Sequence, residues 1–126
     1  MTGVLTCALP IYKAVVHIPY AWSNLAFFEM FQLPIVYFIP SIVFLRKIVQ
    51  GKNFFWSPPF IDKVLTISEW YSPKYKDLLI YFNSWEDLKI KITTLNYMDH
   101  KLKLKIFGEL HKKKTLNQWN KIFRYN

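Results

Sequence analysis

Short apolar runs alternate along the chain with longer segments whose apolar residues have helical spacing. Residues 14–18 and 35–39 are rich in valine, isoleucine and aromatic side chains, and Pro19 and Pro40 follow them directly. Each run therefore predicts a short buried strand that ends at a proline. Residues 78–82 predict another strand, and residues 64–67 a weaker one.

Helix signals follow these strands. Ser23 or Asn24 is placed to cap a helix that Pro34 ends, and Ser41 is placed to cap the next one. At residues 84–87 the sequence Ser-Trp-Glu-Asp is a capping box, in which an acid follows the capping serine by three positions. It predicts a third helix directly after the strand at residues 78–82.

The C-terminal segment, residues 99–123, is predicted to be one long helix with a kink near Gly108. Strands that alternate with helices indicate βαβ units and parallel strand pairing. The predicted fold class is therefore α/β, with a Rossmann-like, mainly parallel sheet, flanking helices and a long C-terminal helix.

The stretch from Met30 to Leu45 carries no charged residue over 16 positions and is followed by Arg46 and Lys47. A helix that spans a membrane needs about 20 apolar residues. Prolines at positions 34 and 40 interrupt this stretch twice. We therefore interpret it as a strand, a turn and a helix rather than as a transmembrane span.

The first eleven residues resemble the translation of a common sequencing-library adapter, Val-Thr-Gly-Val-Gln-Thr-Cys-Ala-Leu-Pro-Ile. The chain differs from it only in having Met1 for the first valine and Leu5 for the glutamine. We interpret residues 1–11 as an artefact and residues 12–126 as a single α/β domain that has lost an N-terminal part. This interpretation removes Cys7, the only cysteine of the chain, from any functional argument.

The formal net charge of +9 raises the question of nucleic-acid binding. The cations are 15 lysines and only two arginines, and the commonest residue types share codons rich in A and T. A surface that reads bases favours arginine, whose fork binds guanine and phosphate in a bidentate manner. We therefore expect codon bias to account for much of the charge, and no nucleic-acid partner.

Polar and aromatic residues follow the predicted strands. His17 lies at the end of the first strand and is followed by Tyr20, Ser23 and Asn24. Ser41 follows the second strand. Ligands of parallel sheets bind outside the carboxyl ends of the strands, and helix starts offer backbone N–H groups to anions. These residues are candidates for phosphate or sugar binding, although the serines and the asparagine are equally suited to capping helices.

The stretch from residue 17 to residue 41 resembles the sugar-nucleotide-binding half of GT-B glycosyltransferases. In that family a strand is followed by a helix with a glutamate, a turn, a second strand and a small residue that opens the next helix. Glu29 and Ser41 match the glutamate and the small residue. The strand-to-helix element at residues 81–88 and the long last helix extend the likeness to residues 13–124. Ala21 stands where many retaining members carry a second glutamate, so the stereochemical outcome stays open.

The resemblance implies specific roles. Glu29 would accept hydrogen bonds from the donor ribose, and Ser41 would lie near the diphosphate, which backbone N–H groups hold without a metal or another cofactor. His17 is a candidate donor to phosphate or sugar, or a core histidine, and Tyr20 would stack on the base or fill the core. The chain would then bind a nucleotide diphosphate sugar, while a missing N-terminal domain holds the acceptor, and the catalytic residues stay unknown.

Two further expectations concern the lysine-rich C-terminal region. His100 and His111 are expected to be solvated, and no spacing of histidine, cysteine and acids suggests a metal site. The run at residues 112–114, three lysines, is either a solvated face or a peripheral contact with an anionic membrane.

We expect a cytoplasmic protein, with association at the inner membrane face as an option. The alternative function is a small basic α/β protein that docks on an anionic membrane or nucleic acid.

Overall fold

A computed structural model describes residues 14–19, 25–50, 62, 65 and 67–124 of the chain. Within these residues the protein is α/β, with a small parallel sheet of three strands in the order β1-β2-β3 and a long C-terminal helix. The strands and α-helices in chain order are β1 (Val15–Val16), α1 (Leu25–Gln32), β2 (Tyr37–Pro40), α2 (Ile42–Val49), β3 (Ile80–Phe82), α3 (Trp85–Thr94) and α4 (Tyr97–Arg124). Two 3₁₀ segments, Glu69–Tyr71 and Pro73–Leu78, precede β3.

The register of the sheet decides which side chains share a face. Tyr37 of β2 is paired with Val15 of β1, and Ile39 of β2 is paired with Tyr81 of β3. Paired residues of parallel strands point to the same side, and successive residues alternate. Tyr37 and Tyr81 therefore share one face of the sheet, while Phe38 of β2 lies on the other.

The core lies around the central strand β2, all four residues of which are buried. Valine, isoleucine and aromatic side chains suit a strand that is covered on both faces, as parallel strands are. One buried cluster joins the sheet to the helices and the 3₁₀ segments; its largest fully buried members are Trp70, Phe27, Phe38, Phe82 and Met30.

Helix α4 packs against α1 through Gly108. A Cβ atom at this position would lie 2.5 Å from the backbone oxygen of Phe31, closer than real Cβ contacts come. Glycine therefore permits the two helices to approach each other closely. The sequence predicted a kink at Gly108, but the helix runs unbroken from Tyr97 to Arg124, and the residue's visible role is in packing.

The α/β class, the parallel pairing and the long last helix are confirmed. Two local predictions were wrong. Pro40 is the last residue of β2 rather than the residue that follows it. Of the weak strand predicted at residues 64–67, Leu65 is helical and Ile67 lies in a turn. The proposed adapter, residues 1–11, lies outside the described residues.

The uncharged stretch from Met30 to Leu45 forms the end of α1, the strand β2 and the first half of α2. No helix in the described part of the chain has both the length and the apolar character that crossing a bilayer requires.

Candidate functional site

The carboxyl ends of the three strands lie at one edge of the sheet. His17 directly follows β1, and its backbone N–H donates to the Phe38 oxygen at 2.9 Å. Ser41 directly follows β2, and its N–H donates to the Phe82 oxygen at 2.8 Å. These ladder hydrogen bonds fix both residues at the edge where ligands of parallel sheets bind.

The imidazole of His17 packs among aromatic rings. Its centroid lies 4.5 Å from that of Trp70 and 6.0 Å from that of Tyr37. Burial lowers the pKa of His17 to about 4, because removal from water disfavours the charged imidazolium. His17 is therefore neutral at pH 7 and acts through hydrogen bonds rather than through a positive charge.

Glu29 lies in the second turn of α1 and is partly buried. Burial raises the pKa of Tyr37, and the negative charge of Glu29 raises it further. The Tyr37 hydroxyl thus stays protonated beside the carboxylate. The Tyr37 ring also packs edge-on against His17, so Tyr37 interacts with both of the residues that the sequence had suggested separately.

A 3₁₀ turn, Glu69–Tyr71, covers the same edge. The Tyr71 hydroxyl donates to the Pro40 oxygen at the end of β2, at 2.8 Å, and the Tyr81 hydroxyl of β3 donates to the Trp70 oxygen. The Tyr71 and Tyr81 rings stack with centroids 6.0 Å apart. Burial raises the pKa of both phenols, that of Tyr81 to about 12. The two phenols therefore stay protonated and tie the turn to the strands.

Trp70 in this turn is fully buried against His17. Its indole Nε1 has no hydrogen-bond partner among the described residues. A buried donor without a partner costs about 1–3 kcal/mol. The edge of the sheet therefore contains one polar group that its described surroundings do not satisfy.

Helix α2 starts at this edge. The Ser41 Oγ accepts a hydrogen bond from the Phe44 N–H at 3.2 Å, as an N-cap does. Its hydroxyl hydrogen stays available to donate, and the N–H groups of Ile42 and Val43 have no carbonyl partner within the helix. The first turn has no acidic residue, and Arg46 and Lys47 lie in the last turn. The first turn of α2 therefore supplies no carboxylate of its own to compensate the positive end of the helix dipole.

Helix α3 starts in a similar way after β3 but with different electrostatics. The Ser84 Oγ accepts from the Asp87 N–H at 3.0 Å, which confirms the predicted cap. The Asp87 Oδ2 in turn accepts from the Asn83 N–H at 2.9 Å, one residue earlier than in the usual capping box. Glu86 and Asp87 both lie in the first turn. The first turn of α3 therefore already contains two carboxylates of its own.

The structure thus brings His17 and Tyr37 together, and Glu29 acts on Tyr37 through its charge. Ser41 lies at the end of the adjacent strand. The other candidates, Tyr20, Ser23 and Asn24, lie outside the described residues. Sequence reasoning did not single out Tyr37 or Tyr81. A signal was present in the dipeptide Tyr-Phe, which occurs at 37–38 and again at 81–82. In two parallel strands this repeat puts hydroxyl-bearing rings on one face and phenylalanines on the other.

The expectation that His100 is solvated was wrong. Its side chain is buried, and its Nε2 lies 3.1 Å from the Leu78 oxygen, which precedes β3. Burial lowers the pKa of His100, the Leu78 hydrogen bond opposes this effect, and Lys103 adds to it. In the described ranges, no group of three histidine, cysteine or acidic side chains is placed to hold a metal ion.

Comparison with known proteins adds no relative, since no protein-family model, no curated protein and no solved structure matches the chain.

Proposed function

We propose that the chain is the donor-binding half of a GT-B glycosyltransferase and binds a nucleotide diphosphate sugar at the carboxyl edge of its sheet. One observation carries the proposal. His17 and Ser41 follow adjacent parallel strands, and the helix that Ser41 opens has no acid in its first turn. A helix start at the end of a parallel strand, with free backbone N–H groups and no acid in its own first turn, is a favourable place for a phosphate.

The diphosphate would lie against the start of α2. The N–H groups of Ile42 and Val43 and the Ser41 hydroxyl are donors of the kind that a phosphate oxygen accepts. During glycosyl transfer the bond between the sugar and the diphosphate breaks, and negative charge grows on the leaving phosphate. Fixed donors stabilise such a developing charge without needing to reorganise.

The ribose would lie on the Glu29 side, where a carboxylate can accept hydrogen bonds from both hydroxyls. Tyr37 stays protonated beside Glu29 and offers a donor at the same place. His17 contributes a neutral imidazole, which donates or accepts one hydrogen bond but does not neutralise a phosphate. In this proposal the acceptor is bound by an N-terminal domain of the same protein, so this chain alone binds the donor without transferring it.

Isothermal titration calorimetry of the full chain with a panel of uridine, guanosine and adenosine diphosphate sugars tests the proposal. We expect one member of the panel to bind, and Glu29→Ala to weaken its binding by about tenfold or more, because a charged hydrogen bond contributes about 1.5–3 kcal/mol. Glu109→Ala is the matched control, since Glu109 is an exposed acid on α4. Equal losses in both variants, or no binding of any donor, would contradict the proposal.

A further inference from the structure

The two parts of helix α4 differ in what surrounds them. His100 and Leu104 in the first part are buried, and Phe107 and His111 pack against Phe31 of α1. From residue 116 onward every residue up to 124 is exposed. We call residues 110–124 the exposed extension of α4, since within this range only His111 and Thr115 are partly buried.

The exposed extension has an apolar side. Leu116, Trp119 and Phe123 follow one another at intervals of three and four residues, which places them on the same side of a helix, and Ile122 borders them. Trp119 is 52% exposed and Phe123 67%, and their rings stack on each other with centroids 5.9 Å apart. Two large aromatic rings are thus held together on a surface that the described residues leave open.

The opposite side of the exposed extension is cationic. Lys114 and Lys121 are seven residues apart, as are residues on one helix face, and Lys113 and Arg124 lie three turns apart beside them. Lys112 is the fifth cation and lies on the apolar side itself, one turn before Leu116, where its long stem can cover apolar surface while its ammonium group reaches water. Residues 110–124 contain no aspartate or glutamate.

We infer that the exposed extension lies on an anionic lipid bilayer, with its apolar side in the boundary between headgroups and acyl chains and its lysines at the phosphates. An amphipathic helix with lysine on the polar face and tryptophan, phenylalanine and leucine on the other face is the type that binds in this way. The inference does not rest on donor binding at the sheet edge.

The charges favour a bilayer over other occupants of this face. A second copy packed on the apolar side would add five further cations, and its own residues 110–124 would supply no anion to neutralise them. A nucleic acid would neutralise the cations, but it offers no apolar layer to cover Leu116 and Ile122. An anionic bilayer satisfies both sides of the helix at once, and each lysine near its surface contributes an attraction equal to about a fivefold gain in binding.

Co-sedimentation of the full chain with vesicles tests the inference. We expect binding to vesicles of phosphatidylcholine and phosphatidylglycerol in equal parts, and at least about tenfold weaker binding to phosphatidylcholine alone. The paired variant Trp119→Ser with Phe123→Ser should lower binding by about tenfold or more. Ile90→Ser is the matched control, because Ile90 is an equally exposed apolar residue on α3.

The cationic side is tested separately with Lys113→Gln combined with Lys114→Gln. This pair should weaken binding to the anionic vesicles by roughly tenfold or more, whereas Lys89→Gln on α3 should leave it unchanged. Circular dichroism confirms that each variant keeps its helix content. Three results would overturn the inference: equal binding to both vesicle types, dimer formation that needs Trp119 without vesicle binding, or oligonucleotide binding that needs the lysines alone.

Discussion

Two helices begin at neighbouring points of the same sheet edge, and their first turns have opposite electrostatics. Ser41 caps α2 after β2, and Ser84 caps α3 soon after β3. Both serines accept from the N–H three residues later, but that residue is Phe44 in α2 and Asp87 in α3. The comparison shows that helices with the same serine cap can differ in their first turns, which hold no acid in α2 and two acids, Glu86 and Asp87, in α3.

The surroundings of the two starts differ as well. The end of β2 is covered by the Glu69–Tyr71 turn, and His17 and Tyr37 pack around Trp70 of this turn. The start of α3 is held instead by a local exchange, in which Asp87 accepts from the Asn83 N–H and from Lys91 Nζ. The end of β2 is therefore covered by contacts between distant segments, whereas the hydrogen bonds of Asp87 at the start of α3 join residues four positions apart.

Lowering the pH should destabilise the two regions to different extents, with the larger loss of stability at the β2 side. The pKa of His17 is lowered to about 4, so the unfolded chain binds more protons than the folded protein between pH 6.5 and 4. Stability should therefore fall as the pH drops through this window, by on the order of 3 kcal/mol. Urea unfolding at a series of pH values measures the slope of the free energy of unfolding against pH.

His17→Phe keeps an aromatic ring but cannot titrate, and it should flatten the slope. Burial also lowers the pKa of His100, so a part of the slope should remain in this variant. Asp87 acts in the same direction as His17, but at lower pH. Its pKa is lowered first by the Asn83 N–H and then by Lys91, so its contribution is lost only below pH 3.8, where the carboxylate becomes protonated. An unchanged slope in His17→Phe would contradict the burial of that imidazole.

Removing the contact over the end of β2 should have the next largest effect. Tyr71→Phe deletes the hydroxyl that donates to the Pro40 oxygen and leaves this buried carbonyl without that donor. We expect a loss of about 1.5 kcal/mol in the free energy of unfolding. Tyr97→Phe is the control, because the Tyr97 hydroxyl bonds locally to the Ile92 oxygen on a less buried surface. Losses of equal size would show that the turn does not hold the edge.

The two capping serines should have the smallest effects on stability, and these should be alike. Ser41→Ala and Ser84→Ala each remove one acceptor from a helix start, which costs about 1 kcal/mol. Thermal or urea unfolding of both variants gives the comparison. If Ser84→Ala cost much more than Ser41→Ala, the reciprocal Asp87 contact would be coupled to the cap rather than independent of it.

The elements that the sequence predicted well depend on neighbours in the chain. Ser41 and Ser84 could be identified as caps because the donor lies only three residues away, and prolines at 34 and 40 mark boundaries through their own backbone geometry. The apolar runs also predicted the buried strands, and alternation with helices predicted parallel pairing.

The parts that sequence reasoning missed depend on residues far apart in the chain. His17 packs against Trp70, which comes 53 positions later in the chain, and His100 lies beside the Leu78 oxygen, 22 positions earlier. Gly108 serves a close approach to Phe31, which no pattern around residue 108 can indicate. Such contacts are set by tertiary packing, so the burial of a histidine or the purpose of a glycine could not be predicted locally.

The most direct test of the account is donor binding by two matched variants, Ser41→Asp and Ser84→Asp. Aspartate is as good an N-cap as serine, so both variants should fold, but it removes the hydroxyl donor and adds a negative charge. By calorimetry with the nucleotide diphosphate sugar that binds the unaltered chain, Ser41→Asp should bind at least about tenfold more weakly. Ser84→Asp should bind as the unaltered chain does, because that helix start already carries Glu86 and Asp87. Equal binding by the two variants would contradict a phosphate site at the start of α2.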